Sequence, residues 1–97
     1  MLDKIHHVAL QVADIDASVR WYTGSFSCEV LSQGKTSAVL EFNNIRLSLV
    51  LPSQEPPHLA FVRDDAGTFG ELRQKSDGTQ ACFVADPTGN LVEVIAP

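Results

Sequence analysis

Two histidines of this chain stand in matching surroundings. His7-Val8-Ala9-Leu10 recurs as His58-Leu59-Ala60-Phe61, and each histidine is followed seven residues later by an aspartate, Asp14 or Asp65. A third residue of interest is Glu93, an acid set among Leu91-Val92 and Val94-Ile95. An unpaired buried carboxylate is expensive, so a glutamate in such a run needs a partner. Two neutral imidazoles and one carboxylate suit a first-row divalent ion, and three protein ligands leave coordination positions open for water and substrate. The other purpose open to Glu93 is an ion pair with Arg46 or Arg63. His6 is set apart from the ligands, because neighbours in a strand face opposite ways.

The elements that would carry these residues can be read from periodicity. Residues 4–12 alternate as a strand, with Val8, Leu10 and Val12 on one face and His7, Ala9 and Gln11 on the other. Asp14 is a good helix N-cap, and Asp16 falls in the first turn, where the helix dipole favours negative charge. Ile15, Val19, Tyr22 and Phe26 then form one helical stripe, which predicts a helix over 15–26 packed on a sheet, fraying at Gly24. Trp21 and Tyr22 read as packing and surface residues of that helix. Three strands follow, over 28–33, 36–42 and 45–51. Asn43-Asn44 forms a two-residue hairpin loop, expected because asparagine tolerates positive φ. That loop places Phe42 opposite Ile45, Glu41 opposite Arg46 and Val39 opposite Ser48, with a cross-strand ion pair expected at Glu41 and Arg46.

The proline-bearing stretch Pro52–Pro57 reads as a linker. Beyond it a strand over 58–62 leads into a second helix, capped by Asp64 or Asp65 and running to about Lys75, although Gly67 and Gly70 each cost about 1 kcal/mol inside it. Two last strands, 81–85 and 91–95, flank the turn Asp86-Pro87-Thr88-Gly89-Asn90. Only Ser76–Gln80 remain before the first of them, too few for another strand. Each half thus runs strand, helix, strands, as two copies of one unit related by a pseudo-two-fold axis do. The expected fold is α+β: two tandem βαβββ-type modules, about 4–52 and 57–97, the second shortened. They form one domain over 1–97 with a curved mixed sheet of seven strands, helices outside and a concave metal site. By this symmetry Ser48 is the counterpart of Glu93, and the cavity receives His7, Ser48, His58 and Glu93.

The residues resemble the vicinal oxygen chelate superfamily, which includes glyoxalase I, methylmalonyl-CoA epimerase, extradiol dioxygenases and the fosfomycin resistance proteins. The resemblance runs along nearly the whole chain. Its most specific stretches are His7-Val8-Ala9-Leu10-Gln11-Val12-Ala13-Asp14, Trp21-Tyr22 where the family usually has Phe-Tyr, and Asp86-Pro87-Thr88-Gly89-Asn90-Leu91-Val92-Glu93. By that resemblance His7, His58 and Glu93 match three metal ligands, and Ser48 stands where many members have a fourth, a glutamate or glutamine. The missing carboxylate looks like both ligand and base in glyoxalase I, so the resemblance implies little glyoxalase activity here. Fosfomycin enzymes have a threonine where this chain has Ala9, and the larger dioxygenases carry further catalytic histidines.

The functional expectation is a small metal-dependent enzyme, a lyase, an isomerase or an extradiol-type dioxygenase, holding one divalent ion (Fe, Mn, Zn, Ni or Co). The ion would chelate neighbouring oxygens of a small substrate. Glu93 and Glu41 are the candidate catalytic acids and bases, and Ser48, Arg46 and Gln11 the candidate substrate contacts. The alternative is a non-catalytic binding or sequestering module of the bleomycin-resistance kind.

Bulk properties bound these readings. With 97 residues and 44% hydrophobic content the chain is expected to fold, burying about two-thirds of its unfolded surface. A formal charge of −5 with seven scattered basic residues argues against nucleic acid. No apolar run approaches a membrane span and the first residues show no signal pattern, so a cytoplasmic protein without a membrane partner is expected. Cys28 and Cys82 read as thiols rather than a disulfide. A homodimer is expected, since exposed strand edges invite pairing with a second copy.

Overall fold

The computed structural model describes residues 1–97. The chain divides into two compact units, one formed by His7–Pro57 and the other by Met1–His6 together with His58–Pro97.

The first unit draws on strand β1 (Ile5–Gln11), helix α1 (Ile15–Ser25) and strands β2 (Glu29–Gln33), β3 (Ser37–Glu41) and β4 (Arg46–Val50). Asp14 caps the helix as its position requires, its carboxylate accepting from the Ala17 amide at 3.0 Å. The helix ends at Ser25, with Phe26 as its C-cap. Ile15 and Val19 of the helical stripe bury against Ala38, Leu40 and Leu49, while Phe26 stays exposed. The strand order is β2-β3-β4-β1. β2, β3 and β4 form an antiparallel meander, and β4 lies parallel to β1, with His7 opposite Arg46 and Ala9 opposite Ser48. The hairpin register is the expected one: Glu41 faces Arg46, Val39 faces Ser48, and the Phe42 amide donates to the Ile45 carbonyl at 3.0 Å. Neither Asn43 nor Asn44 has positive φ, so the turn forms without the left-handed backbone expected of asparagine.

The second unit holds β5 (His58–Val62), a 3-10 turn (Ala66–Thr68), β6 (Arg73–Gln74), β7 (Gln80–Ala85) and β8 (Leu91–Ala96). Its strand order, β5-β8-β7-β6, repeats the pattern of the first unit, again with the first and last strands parallel. Two sequence expectations fail here. The second helix is a single 3-10 turn, consistent with Gly67 and Gly70, whose backbone freedom opposes helix. Because the chain spends so few residues there, a strand excluded on length does form: β6 pairs Arg73 with Ala81 and Gln74 with Gln80. Each unit therefore has four strands, against the seven expected in total. Ala66 packs on Cys82 and Val94, taking the place of a helix on the outer face. Both cysteines are free.

Candidate metal centre

The chain buries three polar or charged residues: His7, His58 and Glu93. In the second unit β8 lies between β5 and β7, and Glu93 is registered with Ala60 on one side and Phe83 on the other. Alternation assigns the faces. Val92 and Val94 turn to the layer of Ala66 and Cys82, so Glu93 shares the opposite face with Phe83 and with the small cluster Ala60, Ala81 and Ile95. The turn before β8 fixes its entry. Asp86 accepts from the Thr88 and Asn90 amides, each at 2.9 Å, and from the Asn90 side chain at 2.9 Å. Gly89 takes φ +99°, a backbone that L side chains rarely adopt. The Asn90 side chain, followed by the turn amides, holds the Asp86 carboxyl below its usual range.

His58 stands at the start of β5, and its Nε2 lies 3.2 Å from Oε1 of Glu93, with both side chains fully buried. The other carboxylate oxygen, Oε2, accepts from Lys75 Nζ at 2.6 Å. The Phe83 ring meets the His58 ring edge-on at 5.0 Å and 89°. Nitrogen and oxygen ligands at about 2.0–2.2 Å from an ion, subtending about 90–110°, lie about 2.9–3.5 Å from each other. The His58–Glu93 spacing falls inside that interval. The spacing of this pair therefore fits two ligands of a first-row divalent ion.

The cation on Glu93 is Lys75, not the Arg46 or Arg63 considered from sequence. Arg63 is engaged with Asp65 at 2.9 Å and Asp3 at 2.8 Å, which raise its pKa while its guanidinium lowers that of Asp65. Lys75 and Phe83 were both missed. Phe83 was findable, since Cys82 and Val84 turn to the outer layer and leave it on the Glu93 face. Lys75 was hidden by its assignment to the end of a helix.

In the first unit His7 is buried on β1 with Arg46 opposite on β4, and Glu41 opposite Arg46 on β3. The next row on that face is Ala9, Ser48 and Val39. Ser48 and Glu41 are half-buried and Arg46 is exposed. Ala9 opposite Ser48 repeats Ala60 opposite Glu93, so the two strands do occupy equivalent places in their units. Gln11 is exposed at the far end of β1, where its side chain donates to the Glu55 carbonyl of the linker at 2.9 Å.

A sequence profile of the Glyoxalase/Bleomycin resistance protein/Dioxygenase superfamily matches residues 4–71. No curated protein matches the chain. Among solved structures, a hypothetical protein from Bacillus halodurans C-125 is 18% identical with a TM-score of 0.77, over 100% of this chain and 96% of its own. A superfamily member from Vibrio splendidus 12B01 is 14% identical with a TM-score of 0.77, over 99% of this chain and 100% of its own. Streptomyces coelicolor methylmalonyl-CoA epimerase, in a Q60A form bound to 2-nitronate-propionyl-CoA, is 22% identical with a TM-score of 0.76, over 99% of this chain and 98% of its own. These likenesses are of fold. No helix is long and apolar enough to cross a membrane.

Proposed function

The chain belongs to the Glyoxalase/Bleomycin resistance protein/Dioxygenase superfamily, and from that premise we propose that it is a metal-dependent enzyme in which His7, His58 and Glu93 hold one divalent ion. The observation that carries this reading is the fully buried pair of His58 Nε2 and Glu93 Oε1 at 3.2 Å. A carboxylate without solvent is stabilised by cationic partners, and ligation would use the same lone pair that faces the imidazole. His7 is the natural third ligand: it is the remaining buried polar side chain and the repeat partner of His58, and each of the three offers one ligand atom.

When bound, the ion would act as a Lewis acid on neighbouring oxygens of a small substrate and stabilise negative charge developing there. The chain's own residues would do the rest. Lys75 neutralises Oε2 of Glu93, and Phe83 sets an apolar ring edge-on against His58. Glu41, on the same face as His7, is the group offered as base, and Arg46 and Ser48 as substrate contacts. Gln11 serves that face less directly, since its amide is committed to the linker. The active species is proposed to be a homodimer in the cytoplasm. Lyase, isomerase and dioxygenase chemistries all suit such a centre.

The test is turnover by metal-stripped protein, with and without added Fe(II), Mn, Zn, Ni or Co, on hemithioacetals, 2-methyl-branched acyl-CoA thioesters such as methylmalonyl-CoA, and catechols. Metal-restored turnover of one class is expected. Binding of such compounds without turnover of any of them would favour the sequestering module.

A further inference from the structure

The two oxygens of Glu93 have different tasks. Oε1 faces His58 Nε2 at 3.2 Å, and Oε2 accepts from Lys75 Nζ at 2.6 Å, a short, charge-assisted hydrogen bond. The lysine is not held by that bond alone. It follows directly on β6, and its backbone closes the turn into β7: the Lys75 amide donates to the Thr79 carbonyl at 2.7 Å, and the Gly78 amide donates to the Lys75 carbonyl at 3.0 Å. Gly78 takes φ +88°, and Asp77 accepts from the Thr79 amide at 2.9 Å and the Thr79 hydroxyl at 2.6 Å. The two-residue strand and its braced turn thus set the ammonium against one oxygen of a fully buried carboxylate.

We infer that Lys75 is a positioning residue that restricts Glu93 to ligation through one oxygen. The inference rests on the metal-binding reading above. An oxygen committed to an ammonium is not offered to a cation, so two imidazoles and one carboxylate oxygen occupy three positions of a six-coordinate ion. About three then stay open, against about two if Glu93 chelated through both oxygens. The extra position allows a substrate to bind through two neighbouring oxygens while a water or a small co-substrate keeps its own place. The same restriction disfavours calcium, which draws on two-oxygen carboxylates.

Water-proton relaxation of the Mn(II)-loaded protein counts the open positions. Wild type, Lys75→Met, Lys75→Gln and Lys75→Arg are compared at saturating protein, with thermal melts establishing that each is folded. The inner-sphere relaxivity of Lys75→Met or Lys75→Gln is expected to fall by about a third, as Glu93 turns both oxygens to the ion, and Lys75→Arg to restore it. Wild-type relaxivity in a folded, loaded Lys75→Met or Lys75→Gln protein would overturn the inference and leave the metal reading standing. Failure of wild type to bind Mn(II) would overturn the inference, and failure to bind Zn(II) as well would overturn the metal reading; both show before any variant is compared.

Discussion

At the scale of single residues, the position that narrows the chemistry is Ser48. It occupies the place in the first unit that Glu93 occupies in the second, opposite a small residue on the neighbouring parallel strand. A hydroxyl can hydrogen-bond a bound water but supplies no charge to a cation. Isomerisation of hemithioacetals is therefore expected to be absent or very weak in the wild type. Ser48→Glu is expected to tighten Zn(II) binding about tenfold by adding a charged ligand; equilibrium dialysis measures it, and an unchanged or weaker affinity would remove Ser48 from the centre. This equivalence was legible in the sequence because the repeat His7/His58 sets the frame and alternation does the rest. Lys75 was not legible: no periodicity marks a residue whose placement depends on a two-residue strand and a tight turn.

Among the elements, the loop before β8 is the one that ties sequence to site. Asp86, Gly89 and Asn90 form a closed set of hydrogen bonds around a positive-φ glycine, which explains the DPTGN pattern as a backbone requirement rather than a chemical one. The Asn90 side chain and turn amides lower the Asp86 pKa. A carboxyl whose folded pKa is depressed contributes stability that is present above its unfolded value, near the usual carboxylate range, and lost as pH falls through the lower folded value. Urea unfolding followed from neutral pH down through about pH 4 to about pH 2 is thus expected to show a smaller acid loss in Asp86→Asn than in wild type. Equal acid loss in the two proteins would contradict this role. The strands and the first helix were readable because each has one apolar face at a fixed period. An aspartate cap and two apolar residues point to a second helix, but two glycines oppose it, and β6 lies inside the span that this pattern assigns to helix.

For the molecule as a whole, the first unit leaves large apolar groups in water: Trp21, Phe26, Val30 and Leu31 are each more than two-fifths exposed. A second copy would cover such groups, and β2, exposed along its length, has a strand partner in β3 alone within its unit. Sedimentation equilibrium at micromolar concentration is expected to give twice the chain mass of 10.5 kDa, and a mass near 10.5 kDa would rule the dimer out. The internal repeat itself was plain in the sequence, and the two units share one strand order. What no sequence pattern specifies is whether their three buried polar side chains serve one ion. Elemental analysis of metal-stripped protein reloaded with Zn(II) and passed through a desalting column answers that most directly. The expected result is about one zinc per chain in wild type and in His6→Ala, and little in His7→Ala, His58→Ala or Glu93→Ala. Zinc retained by His58→Ala at the wild-type level would contradict the proposed centre.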